Sequence, residues 1–194
     1  MLRHLLHILA LLLALTGCAQ LPGSDTTANF PKRPARAAIA DFSLDGRIVI
    51  QHRQTSYSLN IFWQHAEQTD AIMLSTPLGQ GIAELTRNDD GMRLVTAEKR
   101  EYTAPDWSAL TRQLFGIDLP LADLPRWLVA TVPVGALGVH YDASGRPQRQ
   151  LIDGWLVAYS AYESAAADAL PSMVMLSRED IEVKLKIDDW KISQ

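Results

Sequence analysis

Beyond residue 40 the chain alternates apolar and polar residues with period two, as strands with one buried face require. The first such run, near Phe42 to His52, sets Leu44, Ile48 and Ile50 on one face. In the second, Tyr57, Leu59, Ile61 and Trp63 alternate; Ile72 and Leu74 begin a third, and a fourth starts at Ile82. Thr76-Pro77-Leu78-Gly79-Gln80-Gly81 joins the last two. Pro77 fixes a turn there, and the two glycines are expected to supply positive φ, so the segment reads as a tight hairpin tip. Such tips are normally polar, yet this one carries Leu78 at its apex. Leu78 either folds back onto a neighbouring loop or stands out as a knob that touches a membrane or a partner.

Met92 to Val95 continues the strands after the Asn88-Asp89-Asp90-Gly91 turn. The period then changes. Pro105 and Asp106 precede Trp107, Leu110, Thr111, Leu114 and Phe115 at helical spacing, and Gly116 ends the run. Pro120 is expected to open a second helix carrying Leu121, Leu124, Trp127 and Leu128 on one side, with Pro125 near its first turn. Two short amphipathic helices with broad apolar faces fit best across the opening of a curved sheet. Strands resume at Val139–Tyr141, Gln148–Ile152 and, after the Asp153-Gly154 hairpin signal, at Trp155, Val157 and Tyr159. Met173 to Leu176 is too uniformly apolar to assign a face. The last strand is the cleanest, with Ile181, Val183, Leu185 and Ile187 opposite Glu182, Lys184, Lys186 and Asp188. The expected fold is mainly β, with about eleven antiparallel strands and two helices.

Residues 1–17 have the form of a secretory leader, with Arg3 followed by the apolar run Leu5 to Leu15. Eleven residues are too few to span a bilayer. The run ends in Leu15-Thr16-Gly17-Cys18, the pattern of a bacterial lipobox, in which the cysteine takes a diacylglyceryl group before cleavage. Cys18 is the only cysteine, so neither a disulfide nor a thiolate metal site is expected. Ala19 stands where an aspartate would favour the inner membrane in bacterial lipoproteins, which points to the outer membrane. Cleavage removes Arg3 and takes the formal charge from −4 to −5. Residues 18–38, rich in Pro, Ser and Thr, read as a lipidated amino terminus on a flexible tether, and residues 39–194 as one domain.

The usual catalytic patterns are missing. His52, His65 and His140 sit singly on separate strands, expected at surfaces or edges, and no G-x-S-x-G elbow occurs. Gly79-Gln80-Gly81 lacks the third glycine of a dinucleotide loop and precedes a strand. The acid pairs Asp89-Asp90 and Asp188-Asp189 read as solvated turn residues. A negative chain without a basic, aromatic surface argues against nucleic acid.

Together these residues resemble the outer-membrane lipoprotein receptor LolB family. The likeness spans Phe42 to Ile192 and rests on Phe62-Trp63-Gln64, Leu74-Ser75-Thr76-Pro77-Leu78-Gly79 and Tyr102-Thr103-Ala104. It continues through Pro120, Leu121, Leu124, Trp127 and Leu128, then Gly154, Trp155, Val157 and Tyr159, and closes on Ile181, Val183, Leu185, Ile187 and Trp190. One departure is Ala130-Thr131-Val132-Pro133, where the family has a glycine soon after the second helix. The resemblance implies an unclosed antiparallel β-barrel with a helical lid over an apolar cavity, and an outer-membrane protein anchored by N-acyl and S-diacylglycerol lipid on Cys18 and facing the periplasm. It implies a receptor that takes acylated lipoproteins from the periplasmic carrier LolA and inserts them into outer-membrane lipids, with no enzyme chemistry and no cofactor or metal, acting as a monomer. Pro77, Leu78 and Gly79 would then form a membrane-insertion loop. Candidate cavity-lining residues are Leu44, Ile48, Tyr57, Leu59, Ile61, Trp63, Leu74, Val157, Val183 and Leu185, with Trp107, Leu110, Leu114, Leu124 and Leu128 from the lid; ordinary core packing is the alternative for each. The alternative function is an outer-membrane lipoprotein that binds another amphiphile, lipopolysaccharide or a phospholipid.

Overall fold

The computed structural model describes residues 39–193. The leader, Cys18 and the tether lie outside the described residues. Two antiparallel meanders make up the rest. β1 (Phe42–His52), β2 (Thr55–Ala66), β3 (Thr69–Ser75), β4 (Gly81–Asn88), β5 (Gly91–Thr96) and β6 (Glu101–Ala104) come first. Helices α1 (Trp107–Phe115) and α2 (Leu124–Leu128) follow. Then come β7 (Leu137–Tyr141), β8 (Pro147–Ile152), β9 (Trp155–Tyr162), β10 (Pro171–Arg178) and β11 (Ile181–Ile192).

All eleven strands form one sheet in the order β6-β5-β4-β3-β2-β1-β11-β10-β9-β8-β7. Strand β1 pairs with β11 along its whole length and joins the two meanders. Strands β6 and β7 do not pair with each other, so the barrel stays open between them, and the helices connect these two edges. The alternation explains the curl: Leu44, Ile48, Ile50, Leu59, Ile61 and Trp63 all turn to one side and are buried. In β10, where the sequence left the face open, Val174 and Leu176 point inward while Met173 and Met175 remain half-buried on the other side.

The β1–β11 seam carries a bulge. Asp45 pairs with Asp189 and Gly46 with Ile187, leaving Asp188 as the extra residue. A Cβ on Gly46 would lie 2.3 Å from the Lys186 carbonyl oxygen, so only glycine fits there. Asp188 and Asp189 therefore sit inside a strand, where Asp188 pairs with Arg47 (3.3 Å) and Lys186 and is no turn acid.

Helix α1 has the expected limits. Asp106 caps it by accepting from the Ala109 N–H (2.8 Å), and Gly116 ends it at φ 74° with its N–H on the Arg112 carbonyl. Helix α2 is shorter than the sequence suggests. Pro120 opens a series of turns, and the helix begins at Leu124. Pro125 has no N–H to bond the Leu121 carbonyl, so the ladder cannot run back through that position. Ala130, just past α2, has φ 58°, a conformation that glycine adopts without steric cost. The segment Ala130-Thr131-Val132-Pro133, expected to depart from the family pattern, thus begins at a left-handed backbone position.

Candidate functional site: a plugged apolar hollow and an exposed leucine

Under the helices the concave face of the sheet leaves a hollow of about 30 Å³, walled entirely by apolar side chains. Strand β1 supplies Ile48 and Ile50, β2 supplies Ile61 and Trp63, and β3 supplies Ile72 and Leu74. Leu85 of β4, Leu176 of β10 and Val183 and Leu185 of β11 complete the sheet side. From above come Phe115, Leu119, Leu121 and Leu124. Such a volume holds about one water molecule and is far below the roughly 300 Å³ of ordinary ligand pockets. The lid side chains themselves fill the hollow.

Of the lining residues expected from sequence, Ile48, Ile61, Trp63, Leu74, Val183, Leu185 and Leu124 stand on this wall. Leu44, Leu59 and Val157 are buried in the surrounding core, off the wall. Tyr57 is half-buried with its ring edge-on to Phe115 at 5.3 Å. Trp107, Leu110 and Leu128 are buried beneath the helices and Leu114 is half-buried; none reaches the hollow. Sequence reasoning left Ile50, Ile72, Leu85 and Leu176 out of the lining, although the first three continue the same alternation. Leu119 falls in the loop between the helices, where no periodicity marks it, and Leu121, expected on the apolar side of the second helix, lies just before that helix begins.

The lid is tied down unequally. Thr111 Oγ1 accepts from the Leu119 N–H (3.1 Å), and Arg112 pairs with Asp118, so the loop after α1 is fastened to α1 itself. The end of α2 is fastened to the sheet. Tyr159 Oη donates to the Trp127 carbonyl (2.8 Å), while Gln150 Nε2 donates to the Thr131 carbonyl (3.0 Å) and to Tyr159 Oη (2.9 Å). Apart from apolar packing, no comparable hydrogen bond holds Phe115 or Leu119 to the sheet among the described residues.

Trp63 walls the hollow yet keeps its polar atom out of it. Its indole N–H donates to Asp70 (2.9 Å). The buried Asp70 carboxylate also accepts from His65 Nδ1 and Arg87 Nε, each at 2.6 Å. His65 is therefore part of a cluster and not a lone edge residue. Three strands bring these groups together, which is why their separate positions in the sequence did not reveal them. His65, Asp70 and Arg87 border a surface depression of about 630 Å³ shared with Trp107, Pro125 and Val129. A depression of about 870 Å³ on the outer face between β1 and β5 is lined by Asp45, Arg47, Glu84 and Lys99 together with Phe62, Met73, Ile82 and Val95, so its wall is mixed polar and apolar, unlike that of the hollow. Among the described residues no group of three His, Cys, Asp or Glu side chains could hold a metal ion, and no helix is long and apolar enough to cross a membrane.

The β3–β4 tip is a firm mount for its leucine. The Thr76 N–H donates to the Gln80 carbonyl and the Gly79 N–H to the Thr76 carbonyl, both at 2.8 Å. Gln80 N–H also reaches Thr76 Oγ1 (3.1 Å), and Asn60 Nδ2 braces the Thr76 carbonyl (3.0 Å). Of the two glycines only Gly79 takes positive φ, at 87°; Gly81 begins β4, where the register shifts opposite Ser75. Leu78 does not fold back: 98% of its surface is exposed.

Comparison with known proteins agrees with this architecture. The family model described as outer membrane lipoprotein LolB matches residues 40–190. The chain is 36% identical to an outer-membrane lipoprotein LolB of Thiobacillus denitrificans, over 97% of this chain and 98% of that one. It is 37% identical to that of Nitrosomonas europaea, over 95% and 91%. Among solved structures, a putative outer membrane lipoprotein-sorting protein domain from Vibrio parahaemolyticus superposes with TM-score 0.50 at 10% identity, over 82% of this chain and 89% of that one, a likeness of fold alone.

Proposed function

The chain belongs to the LolB family of outer membrane lipoproteins, receptors and not enzymes, and on that premise we propose how this member works. Lipid on Cys18 anchors it to the outer membrane with its domain in the periplasm, and residues 18–38 tether that domain. The carrier LolA brings an acylated lipoprotein. The acyl chains enter the hollow as Phe115, Leu119, Leu121 and Leu124 withdraw from it. Pro77, Leu78 and Gly79 then touch the bilayer, and the chains pass into it.

What supports this reading is a hollow without polar groups that is roofed by four apolar side chains of the helices and their connecting loop. Burial of a methylene gains about 0.8 kcal/mol, so a chain of about sixteen carbons gains roughly 12 kcal/mol on leaving water. Four large apolar side chains that leave the hollow lose about 1.5–3 kcal/mol each, or roughly 6–12 kcal/mol together, if nothing else covers them. The lid's loss therefore offsets between about half and all of the gain for one chain. A chain is thus held against water yet released readily to a bilayer, where the lid closes behind it and regains its own burial. No nucleotide, metal or covalent intermediate is needed.

The test is transfer of a fluorescently labelled lipoprotein from purified LolA to this protein, and then to liposomes. Both steps are expected without added energy source. Failure of the first step with the folded wild-type protein would sink the proposal.

A further inference from the structure

Eight large hydrophobic side chains are exposed among the described residues, and five of them cluster on β7–β9 and the loop into β7. At their centre is a row. Leu137 pairs with Leu151 across β7–β8, and Leu151 with Leu156 across β8–β9, all three on the outer face. They are 64%, 40% and 41% exposed, and Val134 beside them is fully exposed. Direct cross-strand neighbours of this kind form a continuous patch. Arg149, hydrogen-bonded to His140 at 2.9 Å, borders it along the strands, and Ser177 bounds it on β10.

We propose that the Leu137–Leu151–Leu156 row, with Val134, is the surface on which the acyl-loaded carrier protein docks before it hands over its cargo. This inference rests on the receptor reading above.

Four observations select that occupant. First, acyl chains passed between two proteins cannot cross open water, so the carrier must abut the one opening in the sheet, between β6 and β7. Second, the two edges differ. Strand β6 shows Glu101 and Thr103 to solvent and pairs Glu101 with Arg93, whereas β7 shows Leu137 and Tyr141. Of the two edges, only the β7 side offers a partner large exposed apolar side chains. Third, the patch measures on the order of a few hundred Å², well short of the roughly 800 Å² per partner of a stable dimer and suited to a brief encounter. Fourth, the row is remote from Leu78. Strands β2, β1, β11 and β10 lie between β3 and β9, about 25 Å along the sheet at about 4.8 Å per strand. A receptor that must meet a membrane and a soluble protein has two separate apolar features for two different surfaces. Docking uses the face and not the edge: β7 shifts register twice and has Gly138 at φ 56°, irregularities that block addition of a further strand.

The test uses full-length lipidated protein in vesicles and the variant Leu151→Glu/Leu156→Glu. Three rates are followed: uptake from the loaded carrier, uptake of a free acylated peptide from detergent micelles, and release of preloaded cargo to liposomes. Uptake from the carrier is expected to fall about tenfold or more with the other two unchanged. Equal uptake by variant and wild type overturns the proposal, as does loss of micelle uptake in parallel, or loss of liposome delivery alone, which would make the row a membrane contact. Wild-type protein that takes nothing from the carrier refutes the receptor reading itself, and this control separates the two failures. If the variant does not fold, a photo-crosslinking residue at position 156 of the otherwise unchanged chain decides: an adduct with the carrier supports the proposal, and an adduct only with a second copy, or none, overturns it.

Discussion

If the lid competes with cargo for the hollow, a substitution that weakens the lid should strengthen acyl binding. Leu119→Ala is the sharpest such change. Leu119 is buried on the hollow's wall and rides on α1 through its N–H bond to Thr111 Oγ1. Truncation to alanine removes three carbons, and at about 0.8 kcal/mol each the closed lid loses roughly 2 kcal/mol. The apparent dissociation constant of a ligand equals its intrinsic value divided by the fraction of open molecules. A loss of about 2 kcal/mol from the closed state therefore tightens binding by up to about 30-fold, provided the open state is rare.

The assay is titration with a fluorescent palmitoyl probe alongside a thermal melt. The melting temperature should fall by roughly 5 °C, since about 1 kcal/mol is worth 2–4 °C at this chain length. Affinity should rise as stability falls. Delivery to liposomes should slow, because the closing lid has less to regain. An ordinary core leucine gives the opposite coupling: if probe affinity drops with stability, Leu119 is core and the lid does not compete with cargo.

Three further outcomes are expected. Leu78→Glu should leave the melt within about 0.5 kcal/mol of wild type and acyl uptake intact, because the side chain touches nothing; delivery to liposomes should fall, and unchanged delivery in a flotation assay would remove the tip from the mechanism. Gly46→Ala places a Cβ against the Lys186 carbonyl and should cost about 1–3 kcal/mol in urea denaturation by forcing apart the β1–β11 seam. Burial pushes the Asp142 carboxyl up, but hydrogen bonds from the Arg146 backbone, the Arg146 guanidinium and the Ser144 N–H outweigh it and hold the group below its usual 3.8; a depressed folded value means that its stabilisation is complete above about pH 3.8 and is lost as pH falls further. Asp142→Asn should flatten that part of the stability-versus-pH curve, measured by denaturation between pH 5 and pH 2.

The strands were legible because a sheet with one dry face writes its period directly into the chain, and β11 shows this most plainly. Helix α1 was legible because Asp106 and Gly116 mark both ends. The reading failed where one signal has two causes. Val157 and Ile61 both need to be apolar, yet one packs in the core and the other faces the hollow, and alternation cannot tell them apart. Met173 to Leu176 hid its buried face because the outward methionines are apolar too. Pro120 looked like a helix start, but Pro125 removed the hydrogen bond that would have made it one. The Asp70 cluster draws on β2, β3 and β4, so nothing local announces it.

The filled interior also bears on why such a receptor can work without fuel. An empty apolar hollow wide enough for acyl chains would either carry the cost of an unfilled cavity or collapse between rounds, and collapse would add a barrier to the next uptake. In the proposed mechanism, side chains borne on α1, α2 and the loop between them avoid both, because they would occupy the space until cargo replaces them and return when it leaves. The asymmetric fastening suits that proposed exchange. Tyr159 and Gln150 hold the end of α2 to the sheet while Leu119 and Asp118 stay with α1. The plug can then withdraw as a unit about the α2 end, without breaking the sheet. Each step of the proposed exchange trades one dry contact for another, and the direction of transfer is then left to the bilayer, which offers the acyl chains a dry environment with no side chain competing for it.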